Sequence, residues 1–190
     1  MRTLNGNTLE TTRGTFIDLT DPKPEDIHLD DIATALANTC RFGGLVSRYY
    51  SVAEHACLVS RLVKEAGQPP LMQLVALHHD SHEAYVGDIP TPLKALLEEE
   101  YRPITKRLDQ AIAQEYLLPF AWFKHSAIKS ADELALRMEG RVLKLSQAAD
   151  GNHWPWTEPI SHEFPWEPGW WPEWAAQQFK LRHHQLVAAC

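Results

Sequence analysis

The feature that most restricts the fold is a series of apolar runs at helical spacing, each closed by glycine or proline, from about Leu29 to Ser146. The clearest is SVAEHACLVSRLVKEAG. It opens on Ser51 with Glu54 three residues on, as a capping box does, and closes at Gly67 ahead of Gln68-Pro69-Pro70. Before it, Ile32, Ala35 and Leu36 predict a helix over Leu29 to Cys40, broken by RFGG because paired glycines favour turns. After it, the pattern predicts one helix through LMQLVALHHDSHEAYV up to Gly87. A second follows from about Leu93 to Leu117, behind the proline-punctuated GDIPTPLK. A third spans SAIKSADELALRMEGRVLKLS. Strand character is confined to GTFIDL near the start, half of a small hairpin. The expected fold is therefore all-α, with a short N-terminal β-hairpin and no internal repeat. The 190 residues suit one domain with its core over about residues 30–146.

Composition changes in the last quarter. Six of the seven tryptophans lie between Trp154 and Trp174, interleaved with prolines in HWPWTEPISHEFPWEPGWWPEW. Proline forbids a continuous helix there, so an irregular arm over about residues 150–190 is expected, ending in a helix near Pro172 to Ala189. Such an arm serves as a lid or base platform, or as a strap whose indoles fill grooves between helices or subunits. The strap reading is preferred, because burial is the commonest use of aromatic rings.

Charge and targeting signals narrow the function classes. A formal net charge of −7 argues against a surface for polymeric nucleic acid, which needs a basic face, yet leaves room for a small anionic substrate held by local cations or a metal. The first residues contain no apolar core of a secretory signal, and no run approaches a membrane span. The three cysteines, Cys40, Cys57 and Cys190, match no disulfide or zinc framework. A reducing cytoplasm is the expectation.

The chemistry concentrates in Ala76 to Lys94, ALHHDSHEAYVGDIPTPLK, with three histidines and three carboxylates in about a dozen positions. Ionisable groups beside apolar Leu74, Val75 and Leu77 are costly unless paired or coordinated. His78 and His82, four apart on a helix, could clamp zinc. A metalloprotease H-E-x-x-H is excluded, because Val86 stands where the second histidine belongs. The other arrangement pairs adjacent His79 and Asp80, with Glu83 one turn beyond, and needs ligands from elsewhere. His55, inside the apolar VAEHACLV, and Asp132, inside KSADELAL, are polar residues in unexpected places.

The order His55, then His79-Asp80, then Asp132 on successive helical segments resembles the HD superfamily of metal-dependent phosphohydrolases. The flanking RFGG, SVAEH, HHDSHEAYVGDIPTPLK and IKSAD resemble its bacterial 5′-deoxynucleotidases and its phage or prophage nucleotide phosphohydrolases, dATP triphosphohydrolases among them. The likeness covers roughly Asp30 to Ser146. It implies an HD-domain helical bundle, a dimer or higher homo-oligomer, and a small-molecule nucleotide as substrate. It also implies one divalent transition metal on His55, His79, Asp80 and Asp132, with Mg accompanying a triphosphate substrate. Co, Mn, Zn, Ni and Fe all accept such nitrogen and oxygen ligands. Within the resemblance Glu83 orients or activates the attacking water and Asp88 handles a proton at the leaving group. Arg41, Lys94 and Lys129 match phosphate contacts, and Phe42 stands where relatives carry Trp against the sugar. Two other readings stay open: a phosphodiesterase of a cyclic or signalling nucleotide, and a non-catalytic module that keeps a metal for stability. The first usually carries further histidines before the last aspartate, and here only His125 lies between Glu83 and Asp132.

Overall fold

The structure, a computed structural model, describes residues 6–143, 160 and 164–190. Expectations for Trp154, Trp156 and the end of the helix up to Ser146 lie outside the described residues. Two short strands, β1 (Thr8–Glu10) and β2 (Phe16–Asp18), pair antiparallel with Leu9 opposite Ile17. Eight α-helices follow among the described residues: α1 (Leu29–Asn38), α2 (Val52–Glu65), α3 (Pro70–Leu77), α4 (Glu83–Val86), α5 (Thr91–Leu96), α6 (Glu98–Glu115), α7 (Ser126–Leu143) and α8 (Pro172–Val187). The fold is mostly helical with this one small N-terminal sheet, as the sequence predicts.

α2 is the axis of the molecule. It packs against α1, α3, α7 and α8, and residues from Val52 to Ser60 are buried without interruption. Because this stretch is buried on every side, its polar residues need partners there. Ser51 caps it by accepting from the Glu54 amide at 3.2 Å. The Glu54 carboxylate does not fold back onto Ser51. It accepts from the amides of Gly169 (3.0 Å) and Trp170 (3.1 Å) and so ties the C-terminal arm to this helix. Among the arm's described residues, Trp166 meets Tyr50 edge-on at 5.5 Å and Trp170 packs on the core, whereas Trp171 is 73% exposed. The arm then enters α8, whose Ala175, Phe179, His183 and Leu186 are buried against its neighbours.

Two predicted helices are divided. The run through Val86 stops at Leu77, and residues 78–82 form turns before α4 begins. The helix expected from Leu93 to Leu117 is α5 and α6, separated at Leu97, whose ψ of 12° leaves the helical range. No helix is long and apolar enough to cross a membrane among the described residues.

Candidate metal centre

Three helical segments bring the predicted quartet together. α2 carries His55, the turn after α3 carries His79 and Asp80, and α7 carries Asp132. The Nε2 of His55 lies 3.2 Å from Asp132 Oδ1 and 3.6 Å from Asp80 Oδ2, while the Nε2 of His79 lies 3.1 Å from Asp80 Oδ2 and 3.9 Å from Asp132 Oδ1. Four ligand atoms around a cation at metal–ligand distances of ~2.1 Å would sit roughly 3.0–3.4 Å apart. The four His–Asp separations, 3.1–3.9 Å, lie near that range. Both Nε2 atoms are buried and lack a hydrogen bond of acceptable geometry among the described residues. Within the quartet, His55, His79 and Asp80 form a compact group that could hold a metal ion, with Asp132 beside His55.

The far side of each imidazole is fixed. His79 Nδ1 donates to the carbonyl of Ala76 at 2.8 Å, and His55 Nδ1 donates to Glu139 Oε1 at 2.6 Å. Each donation leaves Nε2, the nitrogen facing the quartet, to carry the lone pair once the ring is neutral, which is how outer partners set metal ligands. Glu139 is fully buried and also accepts from Tyr50 Oη (3.0 Å) and Arg41 Nε (3.2 Å). It is a member of the centre that sequence reasoning missed. A signal existed, since Glu139 lies seven residues, two turns, after Asp132 on one helix face.

Electrostatics bind these groups tightly. Burial and Arg41 oppose a charge on His55, but Glu139 and Asp132 outweigh them and raise it to about 9. Burial likewise opposes a charge on His79, and Asp80 overcomes it and raises the ring above its ordinary value. Asp80 is held well below the usual carboxylate range, as His79 and His55 overcome its burial.

Glu83 begins α4 beside the quartet. Burial, reinforced by Asp80, raises its carboxyl to about 7 against the pull of Lys94, which donates to Oε1 at 2.7 Å. Its Oε2 is buried without a partner among the described residues. α4 ends at Gly87, where a φ of +77° turns the chain as only glycine does readily, and Asp88 follows outside the helix. Asp88 Oδ2 accepts from the Phe42 amide at 3.0 Å, joining the GDIP loop to RFGG. Phe42 itself adopts a left-handed φ of 59°, with its ring 5.4 Å from the Arg41 guanidinium carbon.

Arg41 reaches the centre, but not as a free phosphate fork. Its Nε and Nη2 are held by Glu139, and Nη1 is 3.8 Å from Asp80. Lys129 is not brought in: its side chain is 76% exposed and lies 3.9 Å from Glu133 on the same helix. The His78–His82 clamp does not form either. His78 turns to α8, with Nε2 2.8 Å from His183 Nδ1, and His82 Nδ1 donates to Asp109 Oδ1 at 2.9 Å. His82 belongs instead to a second ligand group with Asp80 and Glu83, overlapping the first.

A mostly helical protein with a buried His/Asp group able to hold a metal ion is the class these observations define. No protein-family model matches the chain. It is 43% identical over 136 residues to the uncharacterized protein YfdR of Escherichia coli K12, covering 72% of this chain and 70% of that one. It is 40% identical over 137 residues to an uncharacterized protein of Rhodobacter capsulatus, covering 68% and 69% respectively. The chain belongs to the YfdR family.

Proposed function

We propose that the protein is a metal-dependent phosphohydrolase of the HD type that hydrolyses the 5′ phosphate ester of nucleotides, with deoxynucleotides preferred. The observation that carries this reading is the convergence of four ligand atoms from His55, His79, Asp80 and Asp132 beside the buried carboxylate of Glu83. A divalent transition metal there (Co, Mn, Zn, Ni or Fe) would supply Lewis acidity toward a phosphoryl oxygen and an acidified water.

The chain's own residues divide the remaining work. Glu83, with a carboxyl raised to about 7, takes a proton from the attacking water near neutrality, where a general base is most useful. Lys94 holds the charge of Glu83 and offers its ammonium to the phosphate. Arg41 has one terminal nitrogen left for that phosphate, because Glu139 occupies the other edge. Asp88, tied to the RFGG loop through the Phe42 amide, would handle a proton at the departing 5′ oxygen. Attack at the α-phosphorus converts a nucleoside monophosphate to nucleoside and phosphate, and a dNTP to nucleoside and unbroken triphosphate. The test is a panel of ribo- and deoxynucleotides with each divalent metal, both products separated by ion chromatography. Intact triphosphate from dATP supports the reading. A first product of dADP means attack at the γ-phosphate, and absence of turnover with every metal and nucleotide removes the enzyme assignment.

A further inference from the structure

Away from the metal centre, α2, α8 and the arm enclose a cleft of about 840 Å³ that shares no lining residue with the quartet. That volume is within the roughly 300–1,000 Å³ of small-molecule sites. Its walls carry three cations, Arg61, Lys64 and Arg182, against one carboxylate, Glu65. Among the described residues none of the three cations has a carboxylate partner. In a chain of net charge −7, a cleft whose described lining carries three cations and one carboxylate is a local exception.

The arrangement is built. Arg182 Nε donates to the hydroxyl of Ser60 at 3.1 Å, and its Nη2 donates to Gln73 Oε1 at 2.8 Å and to the Ser60 carbonyl at 3.4 Å. Both partners are buried and fixed in turn: the Ser60 hydroxyl donates to the Gln73 carbonyl, and the Gln73 amide donates to the Gln68 carbonyl. These acceptors are neutral, so they orient the guanidinium without cancelling its charge. Burial holds Arg182 below the usual arginine range against the pull of Cys57, and repulsion from Arg61 adds to the lowering. An anion between the two guanidiniums would relieve that repulsion, and arginine suits phosphate oxygens through its planar donor fork. Arg61 also lies over the ring of Phe164, 4.9 Å from its centroid, and Trp170 lines the same cleft. Flat aromatic walls beside a phosphate receptor fit a base, since stacking accepts any of them.

We propose that this cleft is a second, non-catalytic binding site for a nucleoside phosphate, with Arg61 and Arg182 on the phosphates and Phe164 and Trp170 against the base. The Ser60 and Gln73 that set Arg182 belong to α2 and α3, the helices that carry or lead to His55 and His79, so occupancy bears on the elements of the metal centre. The inference does not depend on that centre's activity.

The test is calorimetric titration of ATP into the full chain with chelator present, so that the metal centre holds no cation to bind the phosphates. The expected result is one ATP site, weakened about tenfold or more by Arg61→Ala and by Arg182→Lys, which keeps charge but loses the fork. Inorganic triphosphate should bind at least tenfold more weakly than ATP. If Arg182→Lys fails to fold by circular dichroism, Arg61→Ala decides alone. Absence of ATP binding, affinity unchanged in Arg61→Ala, or triphosphate as tight as ATP overturns the proposal. None of these results alters the turnover experiment above.

Discussion

Replacing Glu139 by glutamine is the sharpest probe of how the metal centre is organised. The carboxylate receives Tyr50 Oη and His55 Nδ1 on one oxygen, and Arg41 Nε and Nη2 on the other. Glutamine keeps the shape but turns one oxygen into an NH2 group, which has only hydrogens to offer. Facing Arg41, that NH2 would meet two donors and leave a buried guanidinium with only Asp80, at 3.8 Å. Facing the other side, it lets the Tyr50 hydroxyl turn and accept, but His55 can accept at Nδ1 only by moving its proton to Nε2. A protonated Nε2 cannot ligate. Either orientation is costly. Losing an outer partner of this kind typically weakens metal binding by about 10–100-fold, and breaking a buried ion pair from one side costs about 3–5 kcal/mol. For a chain of this size, 1 kcal/mol moves the melting temperature by roughly 2–4 °C, so a drop of about 6–20 °C is expected. Competitive metal titration and differential scanning calorimetry, the latter on metal-stripped protein, measure the two effects separately. Wild-type affinity together with an unchanged melting temperature in Glu139→Gln would refute the reasoning.

The remaining predictions concern the catalytic group, the protons and the scaffold. Glu83→Ala should retain metal by elemental analysis while losing about 10²-fold or more in turnover; metal loss equal to that of Asp80→Ala would make Glu83 a ligand instead. Metal affinity should rise with pH through the neutral range. His55, raised to about 9, and His79, also raised, must each lose a proton to bind, whereas Asp80 and Asp132, both lowered, are already ionised. One displaced proton gives about tenfold per pH unit, so a flat profile between pH 6 and 8 contradicts the ligand assignment. Phe179→Ala, in the fully buried face of α8, should cost about 3–5 kcal/mol in denaturant unfolding, and a loss under 1 kcal/mol would mean that α8 is not integral to the core.

Much of this architecture was legible because local chemistry and tertiary packing agree. Ser51 caps α2 as its spacing to Glu54 predicts, Gly87 ends α4, and the strand in GTFIDL finds its partner at Thr8–Glu10. The grouping of His55 with His79 and Asp80 was suggested by polar residues beside apolar runs, and the resemblance added Asp132. What failed to show depends on partners distant in sequence. Around HHDSHE the helix gives way to turns where His78 and His82 reach out to His183 and Asp109, partners far along the chain. Propensity cannot register such ties. Arg41 reads as a phosphate contact until Glu139, nearly a hundred positions away, claims one of its edges. Lys129 matches a motif by position, yet sits where α7 faces solvent.

The hydrogen bond between His78 and His183 carries a consequence for loading fidelity. Two adjacent imidazoles, His78 and His79, ordinarily compete for the same incoming ion, and a wrong choice would pull Asp80 out of register. Here His78 has both ring nitrogens committed, one to Ser81 and one to α8, and its ring is stacked on Tyr116 at 4.8 Å. With His78 sequestered by the C-terminal helix, His79 is the imidazole that would remain open to a cation in the His55/His79/Asp80 group.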